Sequence, residues 1–107
     1  MPMINLEVLT HGEVRSLAGH NRGLAARQKF GLDALDNAPE AVIVRAPGNL
    51  DALTPSFVQG LFAASVHALG EGNFYSHYRF ELPPDLVGDV RLGVDRILMS
   101  RVIAGAA

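Results

Sequence analysis

Ala41-Val42-Ile43-Val44-Arg45-Ala46, followed by Pro47-Gly48-Asn49 and then by Leu53-Thr54-Pro55-Ser56-Phe57-Val58-Gln59-Gly60-Leu61-Phe62, is the stretch that decides how this chain folds. The first segment is a short β-branched run bounded by Pro39 and by the Pro47-Gly48-Asn49 turn, the pattern of a buried strand in the middle of a sheet. Thr54 offers a side-chain oxygen to cap a helix, and Pro55 occupies the first helical position, where its missing N–H costs nothing. Val58, Leu61, Phe62, Ser65 and Leu69 follow at helical spacing. Gly70 is placed to close the last turn in the left-handed conformation.

Upstream, Met3 to Leu9 alternates apolar and polar positions, which predicts a strand with Ile4, Leu6 and Val8 on one side and Asn5 and Glu7 on the other. His11 to His20 mixes glycines, charges and short apolar pieces, so it holds either a short strand around Val14 to Leu17 or a loop. Asn21 to Leu35 places Leu24, Ala25, Leu32 and Leu35 on a helical stripe that passes through Gly31 and stops at Asp36-Asn37 before Pro39. Downstream, Phe74 to Leu82 alternates again, with Phe74, Tyr78, Phe80 and Leu82 facing one way and Tyr75, His77, Arg79 and Glu81 the other. After Pro83-Pro84, Asp85 can cap a helix whose stripe is Leu86, Val90, Val94, Ile97 and Leu98. Asp89 early and Arg96 and Arg101 late match its dipole, and it ends near Ala104. Strand, helix, strand, helix, strand, helix predicts an α/β fold with right-handed crossovers, a small, mostly parallel sheet and helices mainly on one face.

The 107 residues, 49% apolar and 19% charged, suit one domain spanning 1–107, and a chain of this size can build a core without staples. The absence of cysteine excludes disulfides, thiolate metal sites and cysteine nucleophiles. With nine basic and eleven acidic residues the net charge is −2, which supplies no field to steer the protein onto nucleic acid or anionic lipid. The amino-terminal residues lack a basic segment leading into a long apolar run, so the chain reads as soluble and unexported.

Local chemistry is sparse. His11, His20, His67 and His77 show no helical ligand spacing and read as ordinary surface histidines, with no metal expected. None of the serines at 16, 56, 65, 76 and 100 lies in a G-x-S-x-G elbow, so hydrolysis is not expected. Gly19-His20-Asn21-Arg22-Gly23 precedes a helix, and Arg15 to Lys29 holds four of the nine basic residues. Backbone N–H groups there, with Arg22, Arg27 and Gly23, could hold an anion, although neither the dinucleotide nor the Walker pattern is present. Ser56 lies behind a central strand at a helix start, where a phosphate would meet free N–H groups and the positive end of the helix dipole. The plainer reading of the same residue is a comfortable first-turn serine.

The run Thr54-Pro55-Ser56-Phe57, with the helix that follows it, resembles the motif of bacterial STAS-like domains: a small polar residue, any residue, serine and phenylalanine ahead of a helix. Gly19-x-Asn21-x-Gly23-x-x-x-Arg27 is similar to the same family's pattern at its first helix, and the resemblance spans about residues 12 to 80. It implies a small, non-enzymatic α/β module of the bacterial cytoplasm that binds a regulatory protein, as the related anti-sigma-factor antagonists do. In those antagonists an ATPase-type kinase phosphorylates a serine or threonine at the corresponding helix start. That position is Ser56 in this chain, flanked by Thr54, where the antagonists usually carry aspartate, and by Phe57, where they usually carry glycine. No cofactor is expected, and the charge balance argues against nucleic acid or a membrane surface as partner. Two other readings stay open: a small anion- or nucleotide-binding protein using Gly19 to Gly23 with Arg22 and Arg27, and a homodimer formed through a polar sheet face with Tyr75, His77 and Arg79.

Overall fold

The computed structural model describes residues 2–11, 13–46 and 48–106, with side chains described through residue 99. The β-branched run forms β3 (Val42–Arg45), flanked on one side by β1 (Met3–Asn5) and on the other by β5 (Tyr78–Glu81), all parallel. Register puts Ile4 beside Val44, Val44 beside Phe80 and Val42 beside Tyr78, so one face of the sheet is apolar. The opposite face carries Met3, Arg45, Arg79 and Glu81, all exposed, with an Arg45 Nε to Glu81 Oε1 ion pair at 2.8 Å. The fold is therefore α/β with its helices gathered on one face of a parallel sheet. A second parallel pair joins β2 (Ser16–Leu17) to β4 (Ala52–Leu53), which resolves the ambiguous segment before His20 as a strand.

The helix that carries Ser56, expected behind the central strand, instead follows β4 of the second pair: it is α4 (Pro55–Leu69), with Thr54 as its cap and Pro55 in its first turn. It lies between α2 (His20–Phe30) and α6 (Pro84–Ala106), and both crossings depend on glycine. A Cβ on Gly23 would stand 2.2 Å from the Phe57 carbonyl oxygen, and one on Gly60 2.2 Å from that of His20. On the other flank a Cβ on Gly93 would meet the Val58 side chain at 2.4 Å. Toward the sheet, the Phe62 ring makes edge contacts with Phe74, Tyr78 and Phe80, with centroids 5.1 to 5.6 Å apart. Each fully buried side chain of this kind contributes about 1.5–3 kcal/mol by leaving water.

Several expectations need correction, each for a local reason. The first strand stops at Asn5, whose Oδ1 accepts the Glu7 N–H at 3.0 Å and turns the chain into α1 (Glu7–Thr10). Leu6 keeps its place in the core, but Val8 is 43% exposed rather than on a strand face. The helix expected over Asn21 to Leu35 is broken at Gly31, which adopts φ 66°, ψ 44°, and restarts as α3 (Leu32–Leu35). Gly70 has positive φ but an extended ψ of 159°, so it ends α4 without a left-handed helical turn and opens α5 (Glu71–His77). Phe74 to His77 is thus helical and only Tyr78 onward is strand. Phe74 and Tyr78 are four apart, a spacing that satisfies both a helical turn and a strand's alternation, so periodicity over so short a window cannot separate them.

At the carboxyl end, α6 begins at Pro84, with Asp85 in its first turn rather than as its cap, and the Pro83 carbonyl accepts from Leu86 and Val87. Asp89, read as a complement to the helix dipole, accepts the Leu53 N–H at 2.9 Å and ties α6 to β4. Pro47, read as a strand boundary, and the side chain of Arg101 lie outside the described residues. No described helix is long and apolar enough to cross a membrane.

Candidate functional site

The start of α4 brings two hydroxyls together. Thr54 Oγ1 accepts the Phe57 N–H at 3.3 Å, which caps the helix, and the Gly19 N–H at 3.4 Å, which ties the chain before α2 to the same point. Ser56 is half-buried, and its Oγ lies 3.3 Å from Thr54 Oγ1. Thr54, Ser56 and Gly19 therefore form one polar corner. Phe57 does not join it: at 1% exposure its ring belongs to the core, so of the three residues assigned to partner contact only Thr54 and Ser56 reach the surface.

The residues assigned to an anion site are dispersed by the fold. Gly23 sits inside α2, not in a loop, and is pressed against α4. Arg27, four residues on, emerges from the same side of the helix and points inward at 8% exposure. Its Nη1 donates to the Leu61 carbonyl at 3.1 Å and to Ser65 Oγ at 2.8 Å. Its Nη2 donates to Asp36 Oδ2 and Asp33 Oδ1, both at 2.7 Å, and its Nε to the same Asp33 oxygen at 3.1 Å. A guanidinium has five N–H donors, and these contacts occupy all of them. Arg27 has none left for a bound anion, and Arg22 is the residue of the set whose charge faces solvent.

Around Arg27 the structure assembles a polar cluster whose other members, Asp33, Asp36, Ser65 and Tyr78, belong to no sequence motif. Asp36 Oδ1 accepts from Ser65 Oγ at 2.6 Å and from the Tyr78 hydroxyl at 2.5 Å. Burial works against the Arg27 charge, yet hydrogen bonding to Asp36 and Asp33 and the field of both carboxylates outweigh it and raise its pKa. Burial, reinforced by the carboxylate of Asp36, pushes the Tyr78 hydroxyl far above the usual tyrosine range. Among the described residues no buried polar side-chain atom lacks a partner, so the cluster is fully satisfied and joins α2, α4, β5 and the turn after α3. Asp36 is legible in sequence only as a helix stop, and Ser65 and Tyr78 only as stripe positions.

Two concavities flank these features. One, about 280 Å³, lies between α1, β2 and α2; Leu9, Val14, Leu17, Ala25, Ala26 and Phe57 form its apolar walls, with Arg22 and Lys29 at its edge. The other, about 400 Å³, is shallower and polar, bounded by Pro39, Leu69, Asn73, Ser76, His77 and Arg79 among others. His77 Nε2 lies 2.6 Å from the Leu35 carbonyl oxygen. Tyr75 packs against Phe74 and Phe80 and has the Arg91 guanidinium over its ring at 5.1 Å. Tyr75 and His77 stand on α5 and Arg79 on β5, so the three do not make a single sheet face. Among the described residues no group of three His, Asp or Glu side chains could hold a metal ion. Compared with known protein families, curated proteins and solved structures, the chain matches none.

Proposed function

We propose that the protein is a non-enzymatic regulatory module that binds another protein through the start of α4, with phosphorylation of Ser56 as the switch. The observation that carries this reading is the position of Ser56: half-buried in the first turn of α4, with Thr54 Oγ1 as its hydroxyl's neighbour. Replacing that hydroxyl by a phosphate breaks no cap, because the Phe57 N–H is held by Thr54 rather than by Ser56. The added charge of about −1.5 to −2 lies at the positive end of the α4 dipole, which favours it, and it changes the sign of the surface offered to a partner. The resemblance of residues 53 to 62 to STAS-like domains supports the same assignment, with an ATPase-type serine kinase as the modifying enzyme and the bacterial cytoplasm as the setting. The interior cluster of Arg27, Asp36, Ser65 and Tyr78 is paired within itself, which supports a role in holding the fold and leaves the α4 corner as the proposed contact.

Affinity capture from the source organism's lysate with ATP present, followed by mass spectrometry, tests the reading. Ser56 is expected to carry phosphate in part of the population and a kinase-like ATPase to co-purify. Ser56→Asp should weaken capture of the regulatory partner by about tenfold, some 1.4 kcal/mol, while Ser56→Ala retains it. Equal capture by both variants removes the switch.

A further inference from the structure

We propose that the groove between α1, β2 and α2 binds a small amphipathic anion, a carboxylate carried on an unbranched hydrocarbon chain. The walls are apolar, and one of them, Val14, is 41% exposed, so the groove presents hydrocarbon to water in the free protein. The charged side chains at its edge, Arg22 and Lys29, are both cations, and among the described residues neither forms an ion pair. They are seven residues apart on α2, which places them on the same side of the helix about 10 Å apart along its axis. A chain lying along α2 over Ala25 and Ala26 can therefore bring its carboxylate to either cation while its body covers Leu17 and Phe57.

Size and lining chemistry narrow the ligand. The volume of about 280 Å³ falls just under the ~300–1,000 Å³ usual for drug-sized ligands, which suits a single chain. A nucleotide needs several oriented polar groups for base and sugar, and the polar side chains lining this groove are the two cations alone. An anionic head on an apolar body matches both features. The site is independent of the Ser56 reading, although Phe57 at its floor is the next residue in the chain.

The test is titration of the full chain, isotopically labelled, with sodium octanoate, 1-octanol and sodium acetate, followed by amide chemical shifts. Octanoate is expected to give one saturable site, in the millimolar range for so small a ligand, with shifts concentrated at Leu17, Ala25, Ala26 and Phe57. Octanol should bind up to about fivefold more weakly, the scale of a solvent-exposed charge contact, and acetate should produce no saturable shift. Arg22→Gln combined with Lys29→Gln should reduce octanoate to the affinity of octanol. Ala25→Leu, at an exposed helical position that fills the groove from its rim, should abolish binding of both. Absence of a saturable octanoate site, equal affinity of octanoate and octanol for the unmodified protein, or unchanged binding by Ala25→Leu would each overturn the proposal. A dimer by sedimentation that Ala25→Leu dissociates, with no octanoate shifts, assigns the groove to a second copy and overturns it equally.

Discussion

Arg22 and Lys29 stand in solvent on one side of α2, whereas Arg27, between them in the chain, is enclosed against α4 with every donor occupied. The three cations have the same sign and sit within eight residues of one helix; only the angle differs. Seven residues is almost two full turns, so Arg22 and Lys29 coincide, while Arg27 is rotated from Arg22 by more than a third of a turn. One side of α2 thus offers free charge beside an apolar groove, and the other clamps the fold. A cation becomes structural when its helix turns it toward a neighbour close enough to satisfy it. Gly23, one turn before Arg27, and Gly60 opposite it provide that closeness.

Arg27→Ala should therefore have the largest effect, a loss of about 3–5 kcal/mol in urea denaturation, because the Asp36 carboxylate is left buried without its cation. Arg22→Ala, on the other side of the same helix, should stay within about 0.5 kcal/mol. Similar values for the two would dissolve the distinction between the sides.

The helix crossing gives a second contrast. Gly60→Ala forces a methyl group into the backbone of α2, which cannot rotate away, and should cost about 2–3 kcal/mol. Gly88→Ala in α6, where a Cβ meets nothing within 4 Å, should stabilise by up to about 1 kcal/mol through helix propensity. Thermal melting of the two variants should move in opposite directions, and a shared direction would remove the close-approach account of Gly60.

The smallest effect is a dependence on alkaline pH. Burial and Asp36 raise the Tyr78 pKa in the folded protein, while an unfolded tyrosine titrates near pH 10. Above that pH the unfolded chain releases a proton that the folded chain keeps, so stability present at neutral pH is lost as pH rises. Tyr75, raised chiefly by burial, adds a slope of the same sign. Denaturation midpoints measured from about pH 9 to about pH 11 should fall for the unmodified protein and fall less for Tyr78→Phe. An equal slope in Tyr78→Phe would detach the hydroxyl from the cluster's role.

Legibility followed the range of the determinants. The β3 run and the Thr54-Pro55 helix start were readable because each signal sits within a few residues of the structure it specifies. The end of β1 was not, since Asn5 serves equally well on a strand and as the side chain that turns the chain into α1. At the candidate site, Ser56 could be placed at a helix start from its neighbours alone. The inward turn of Phe57 and the enclosure of Arg27 could not, because each depends on which element packs opposite.

The α/β class, the central strand and the limits of α4 are properties of sequence periodicity, caps and breakers, which act through backbone conformation over one or two turns. The Arg27 cluster, the glycine crossing and the groove belong to packing. Asp36 and Tyr78 meet across 42 residues, Arg27 and Ser65 across 38, and Gly19 and Thr54 across 35. No local pattern encodes such pairs, because their energy exists only once burial has excluded water and brought both partners within hydrogen-bonding distance.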